Sequence, residues 1–162
     1  MSLTRRRVVV GVAVALVAAT DLAAKAWAVG ILQNKTIDLG VLDLRLAYNP
    51  GVAFSMGAGA PAWLVLAVTA TVTAVVGVLA WRASATGAFG RLFALSLVLG
   101  GALANLVDRT SDGMVIDYLH TGWFPTFNLA DAAIVTGAIL LVLTELRQPL
   151  DASDQEVGTE SS

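Results

Sequence analysis

Residues 61–81 form a run of 21 positions without a single charge. Such a run constrains the fold more than any other feature, because a hydrocarbon core of ~30 Å needs about 20 helical residues. Three more stretches are of the same kind. Residues 8–32 are apolar apart from Thr20, Asp21 and Lys25; residues 92–107 are uncharged; and residues 128–144 run apolar to Glu145 and Arg147. Only 14% of the chain is charged, against about 25% in an ordinary soluble domain. The solvent for most of it is therefore lipid. The expected fold is an all-α membrane protein with four transmembrane helices, at about residues 8–29, 61–81, 92–107 and 128–146, in one domain over residues 1–148. Residues 149–162 are polar and acidic, and read as a disordered cytoplasmic tail.

Arg5, Arg6 and Arg7 open the chain ahead of the first apolar run. A basic start, an apolar stretch and small residues near Ala24 and Ala26 also fit a cleaved signal peptide. Three further spans, and the placement of Asp21 and Lys25, speak for a retained first helix. Orientation follows from the basic residues. With both termini in the cytoplasm, Arg5, Arg6, Arg7, Arg82, Arg91 and Arg147 lie inside, and Lys35, Arg45 and Arg109 outside. Residues 31–60 are then extracytoplasmic. Their partial alternation in TIDLGVLDLRLAYN predicts short strands, hence a small β-rich cradle between helices 1 and 2.

The composition narrows the chemistry. The chain has no cysteine and one histidine, His120, which excludes thiolate sites and disfavours a Ser-His-Asp triad or a histidine-rich metal site. A net charge of −2 without a basic patch excludes nucleic acid as a partner. Carboxylates must carry any reaction, and four aspartates (Asp108, Asp112, Asp117 and Asp131) fall within residues 100–131. Polar residues gathered near a membrane surface mark a functional site. Two carboxylates placed close together cannot both ionise, so the pair holds a proton. One member can then deprotonate water while the other protonates a scissile carbonyl or its leaving amine.

Simpler roles compete at each position. Asp21 and Lys25, four apart, share one helix face and neutralise each other. Asn49 begins an Asn-Pro-Gly turn. Asn128 and Asp131, three apart, fit an N-terminal cap. On residue types alone, which two aspartates pair stays open. A proton pathway through Asp21, Lys25 and Asp131, or a silent assembly protein held by small-residue helices, remains a competing reading.

Five segments taken together resemble the bacterial lipoprotein signal peptidases (signal peptidase II), four-span aspartyl endopeptidases. They are Asp21-Leu-Ala-Ala-Lys25, Asn49-Pro-Gly-Val-Ala-Phe-Ser55, Gly100-Gly-Ala-Leu-Ala-Asn-Leu-Val-Asp-Arg109, Gly113-Met-Val-Ile-Asp-Tyr118 and Phe124-Pro-Thr-Phe-Asn-Leu-Ala-Asp131. They occur in the family's order over about residues 8–147. The resemblance implies that Asp117 and Asp131 are the catalytic dyad. It implies that Asn49 and Arg109 bind the substrate backbone, with Asn105 and Asn128 at polar positions beside the dyad. Asp21, Lys25 and Asp108 take supporting roles, with Asp108 holding the loop near Arg109. Asp112 and His120 match no motif.

Ala104 stands where the family commonly has Gly, Val52 replaces a commoner Ala, and no hydroxyl residue precedes Lys25. The implied substrate is a diacylglyceryl-modified prolipoprotein, cut before the modified cysteine. The implied enzyme needs no metal or cofactor and works as a monomer. It sits in the bacterial cytoplasmic (inner) membrane, with its active site near the outer leaflet.

Overall fold

The computed structural model describes residues 1–51 and 61–146. The expectations for residues 52–55, for Arg147 and for the tail lie outside these. The described residues form four helices: α1 (Leu3–Leu32), α2 (Ala62–Thr86), α3 (Phe89–Asp112) and α4 (Leu129–Leu146). All four are long and apolar enough to cross a membrane. Three short strands complete the fold: β1 (Ile37–Asp38), β2 (Asp43–Asn49) and β3 (Val115–His120).

Helix α3 is the axis of the bundle and packs against each of the other three. Its buried side is built largely from small residues, Ala94, Gly100, Gly101, Ala102 and Ala104 among them. In lipid no hydrophobic force drives helices together, so close backbone approach has to supply the packing. The α3–α4 seam shows it. A methyl on Gly101 would run into the Ala130 carbonyl of α4, and one on Gly137 would sit 2.7 Å from the Ala94 carbonyl of α3. Ala104 is fully buried within this packing. The outward faces carry exposed apolar residues, such as Val68, Val72 and Val75 on α2 and Val135, Ile139 and Val142 on α4. A chain dissolved in lipid has no reason to hide them.

The two ends of the bundle differ in chemistry. At one end, Arg6 donates to the Gly87 carbonyl in the α2–α3 turn. Arg7 lies 3.8 Å above the Trp81 ring, and Arg91 pairs with Glu145 at 3.6 Å. The other end carries an antiparallel sheet of order β1-β2-β3. Strands β1 and β2 follow α1, where the β-rich cradle was expected. The third strand, β3, comes from the connection between α3 and α4. Gly113 makes that connection possible: it ends α3 in the left-handed region, at φ 81°, with its N–H on the Arg109 carbonyl. Glycine takes that conformation without steric cost. Tyr118 of β3 packs with Ala28 and Leu32 of α1, and Leu44 and Leu46 of β2 close around them. The sheet is thus seated on the end of α1.

Candidate active site

Strand β3 carries Asp117 to the end of the bundle, and the start of α4 carries Asp131 there. In β3 successive side chains face opposite ways. Tyr118 goes into the α1 core while Asp117 turns towards the α4 N-terminus. Burial pushes the Tyr118 phenol up to about 12, and the nearby Asp21 charge adds to the effect. Asp117 is only 1% exposed. Its two oxygens accept from different amides, Asn128 Nδ2 at 2.7 Å and Asn49 Nδ2 at 3.0 Å. The sheet makes the second contact possible, because β2–β3 pairing sets Ala47 opposite Asp117 and Asn49 opposite Val115. Asn49 also makes the expected turn, its Oδ1 accepting from the Gly51 N–H at 2.9 Å. It has both roles at once.

Asn128 joins the two acids. Its Oδ1 accepts from the Asp131 N–H at 2.9 Å, and Asp131 Oδ2 accepts from the Asn128 N–H at 3.3 Å. That is a reciprocal cap at the start of α4. The same Asn128 amide donates to Asp117, so the cap couples the acids through one side chain. Asp131 Oδ1 accepts from Asn105 Nδ2 at 2.8 Å. A carboxylate in the first turn of α4 also lies at the positive end of the helix dipole.

Asp117 is held well above the ordinary carboxylate range, at about 6. Desolvation is the main cause; the Asn49 and Asn128 hydrogen bonds oppose it, and the Asp131 charge adds to it. Among the described residues neither Asp117 nor Asp131 forms an ion pair. Arg109 lies within Coulombic reach of both and of Asp108. Its guanidinium contacts the Asn105 carbonyl at 3.4 Å, while its buried Nε has no acceptor among the described residues.

Behind the pair sits a second cluster. Lys25 is 1% exposed, and its ammonium lies 2.7 Å from Asp21 Oδ2, 2.8 Å from Asp108 Oδ2 and 2.7 Å from Asn105 Oδ1. An ammonium has three N–H groups, and each has an oxygen. The i,i+4 pair expected within α1 is present, but it recruits Asp108 across the bundle. The partner of Asp108 is therefore Lys25 rather than the neighbourhood of Arg109. Asp108 does hold the loop, since its Oδ2 accepts the Ile116 N–H at 3.1 Å.

The front of the pair opens on a cavity of about 760 Å³. Asn49, Asp117 and Asp131 supply polar groups to its wall; Tyr48, Trp123, Phe124, Phe127 and Val135 are among the rest of its lining. Trp123, Phe124 and Phe127 meet edge to face, with centroids 5.6 and 6.0 Å apart. Arg45 reaches over from β2 to Thr126 at 3.3 Å. No role was read from these aromatics in the sequence, although three of them within five residues, just ahead of a helix cap, were a usable signal. Asp112 stays on the surface, bonding the Met114 N–H, and His120 pairs in register with Asp43. Among the described residues no group of three or more His, Asp or Glu side chains is set to hold a metal ion.

Comparisons with known proteins agree with this architecture. A solved bacterial membrane enzyme superposes with a TM-score of 0.75 over 91% of this chain and 93% of its own, at 21% identity, a likeness of fold. The lipoprotein signal peptidase of Rhodococcus jostii is 42% identical over 151 residues, covering 88% of this chain and 74% of that protein. That of Syntrophomonas wolfei is 38% identical, covering 87% and 93%. The family model described as signal peptidase (SPase) II matches residues 13–147. With most of its length matched and four helices suited to a bilayer, the chain belongs to the signal peptidase II family, a family of multi-pass bacterial membrane peptidases.

Proposed function

We propose that this peptidase removes the signal peptide from prolipoproteins, cutting before a diacylglyceryl-modified cysteine, with Asp117 and Asp131 as the acids that move protons. The observation that carries the reading is that one residue, Asn128, holds both carboxylates at the wall of an apolar cavity, Asp117 through its side-chain amide and Asp131 through its backbone N–H. In the resting pair one carboxyl is protonated and the other ionised, which two adjacent acids without a cation partner favour. The ionised member takes a proton from water as its oxygen attacks the scissile carbonyl carbon. The protonated member gives its proton to the carbonyl oxygen. In the second step the other member takes back a proton from a gem-diol hydroxyl as the carbonyl re-forms, the C–N bond breaks, and the first member passes its proton to the leaving amine.

Asn49 and Arg109 hold the substrate backbone in this scheme. The unpartnered Arg109 Nε is a donor suited to a peptide carbonyl. Asn105 and Asn128 keep the acids oriented. The aromatic wall accepts the apolar signal segment and the lipid chains, which enter sideways from the bilayer.

The same reading places both termini in the cytoplasm and the dyad near the outer leaflet of the cytoplasmic membrane, in one domain over residues 1–148 that acts as a monomer. Arg6, Arg7 and Arg91 at the end of the bundle away from the dyad support that orientation. Because the chain has no cysteine, one introduced thiol reports it. In intact cells a membrane-impermeant maleimide should label Asp38→Cys and spare Arg82→Cys; the reverse pattern inverts the topology.

The reaction is tested with purified protein in detergent and a lipidated prolipoprotein. Wild type should cleave it. Asp117→Asn and Asp131→Asn should each lose at least about 10³-fold in rate, within the 10²–10⁴-fold contribution of a general acid or base and near its upper end because both partners act in one pair. Full cleavage by either variant would remove that residue from the dyad.

A further inference from the structure

We infer that Lys25, buried behind the dyad and in contact with neither acid, is a positioning residue that sets the side-chain orientation of Asn105 and the backbone placement of both Asp117 and Asp131. The inference rests on the proposed dyad and extends it from the acids to the device that aims them.

An asparagine amide can sit either way round, with its oxygen and nitrogen exchanged, and its surroundings decide between the two. Asn105 Oδ1 faces the Lys25 ammonium at 2.7 Å and also accepts from Asn128 Nδ2 at 3.2 Å. Two donors on one side leave no place for the NH₂ group there. The nitrogen is therefore turned to Asp131, where it donates at 2.8 Å. Turned the other way, Asn105 would set a carbonyl oxygen against the Asp131 carboxylate and an NH₂ against an ammonium. Lys25 thus delivers a hydrogen bond to the dyad through another side chain.

The two carboxylates that neutralise Lys25 extend the same control. Asp21 Oδ1 accepts the Ala130 N–H at 2.8 Å, one residue before Asp131. Asp108 Oδ2 accepts the Ile116 N–H at 3.1 Å, one residue before Asp117. Each anion holding the ammonium also holds the N–H of the residue just before one of the two acids. Helix α1 and the distant α3–β3 segment are tied to the start of α4 around one nitrogen. A misplacement of about 1 Å in such a site can lower a rate about 10²-fold, so the arrangement has kinetic consequences without touching substrate.

Two variants test it on the intact protein. Lys25→Met removes the ammonium and leaves Asp21 and Asp108 facing each other. Lys25→Met with Asp108→Asn removes the ammonium while keeping the formal charge of the Asp21, Lys25 and Asp108 group at minus one. Rates are measured on a lipidated prolipoprotein across pH, beside wild type and Asp117→Asn, with folding checked by thermal melting in detergent. Both variants should lose about 10²-fold in kcat with KM within about threefold, by the misplacement argument.

The pH profile separates positioning from folding. The other charged or titratable groups around the pair are Arg109, Tyr118, Asp21 and Asp108, and all but Asp108 are unchanged in both variants. Added negative charge makes the working carboxylate harder to ionise. The acid limb should therefore move to higher pH in Lys25→Met and stay near wild type in the double variant. Wild-type kcat in either folded variant overturns the inference. So does a fall in the active fraction with normal kcat per folded molecule, and so does failure of both to fold, each of which assigns Lys25 to folding alone. Failure of wild type to cleave the substrate would instead count against the proposed function.

Discussion

The two acidic clusters of this protein lie back to back and are built on opposite principles. Behind the α4 N-terminus, Asp21 and Asp108 close on Lys25, and every hydrogen of the ammonium meets an oxygen. In front, the hydrogen bonds that Asp117 and Asp131 accept among the described residues come from amide N–H groups of Asn49, Asn105 and Asn128, with the Arg109 guanidinium within Coulombic reach. Asp117 is as buried as the rear cluster while Asp131 is half-buried at the cavity wall. The rear acids form ion pairs with Lys25, and among the described residues the front acids form none. A buried carboxylate with a fixed cation beside it stays ionised and takes no part in proton traffic. One held by neutral donors keeps its charge only at a cost, and so can hold a proton and release it. On the proposed mechanism, the rear pair serves geometry and the front pair serves protons.

Breaking the rear cluster from one side should have the largest effect on stability. Asp108→Ala removes one anion from Lys25 and the acceptor of the Ile116 N–H. Removing one partner of a buried ion pair costs about 3–5 kcal/mol, against about 1 kcal/mol or less for an exposed pair such as Arg91–Glu145. Chemical denaturation of both variants in matched detergent would measure the contrast. Equal losses for Asp108→Ala and Arg91→Ala would mean that the rear cluster is wet, and the comparison between the two clusters would fail.

A smaller effect should follow from disturbing the seam that the clusters share. Ala130 gives its N–H to Asp21, while its carbonyl lies against Gly101 of α3. Gly101→Ala inserts a methyl where only a hydrogen fits. Overpacking of this kind costs about 1–3 kcal/mol, and the shift would carry Ala130 and the adjoining Asp131 with it. Cleavage rate should fall along with melting temperature. Gly11→Ala is the control, since a methyl there meets nothing. Identical behaviour of the two variants would show that the α3–α4 seam has slack.

Much of this architecture was legible beforehand, for physical reasons. The four helices follow from charge-free length, because a bilayer leaves few other folds for such runs. The Asn128–Asp131 cap follows from a local spacing of three. What could not be read locally was contact across distance. Lys25 and Asp108 are far apart in sequence, and nothing near either one names the other. Strand β3 is the third member of the sheet through its pairing with β2, a contact between residues 43–49 and 115–120 that neither segment announces by itself. The assignment of two roles to Asn49 and Asn128 was likewise out of reach. A turn residue and a cap residue look complete from their own neighbours, and only the fold brings both amides to Asp117. The aromatic wall failed for a different reason: Trp123 and Phe124 look like ordinary interfacial residues until a cavity is seen behind them.

The smallest effect concerns the pH dependence of stability, and it is the most direct test of the contrast. The fold raises Asp117 from an ordinary value of 3.8 to about 6. A group raised in the folded state favours its protonated form there. Its stabilising contribution is complete below the unfolded value and is lost as pH rises through about 6. Wild type should therefore become less stable between pH 4 and 7 by an amount that Asp117→Asn, which cannot ionise, does not share. The absolute stability of the variant is not informative, because an amide at position 117 cannot accept from both Asn49 and Asn128 and loses a hydrogen bond. The informative quantity is the difference in Tm between variant and wild type. It should move in favour of Asp117→Asn by a few degrees from pH 4 to 7.5, with most of the change near pH 6. A difference that stays constant over that range would mean that Asp117 is ionised throughout, as an acid paired with a cation would be, and the front cluster would then be no different in kind from the one behind it.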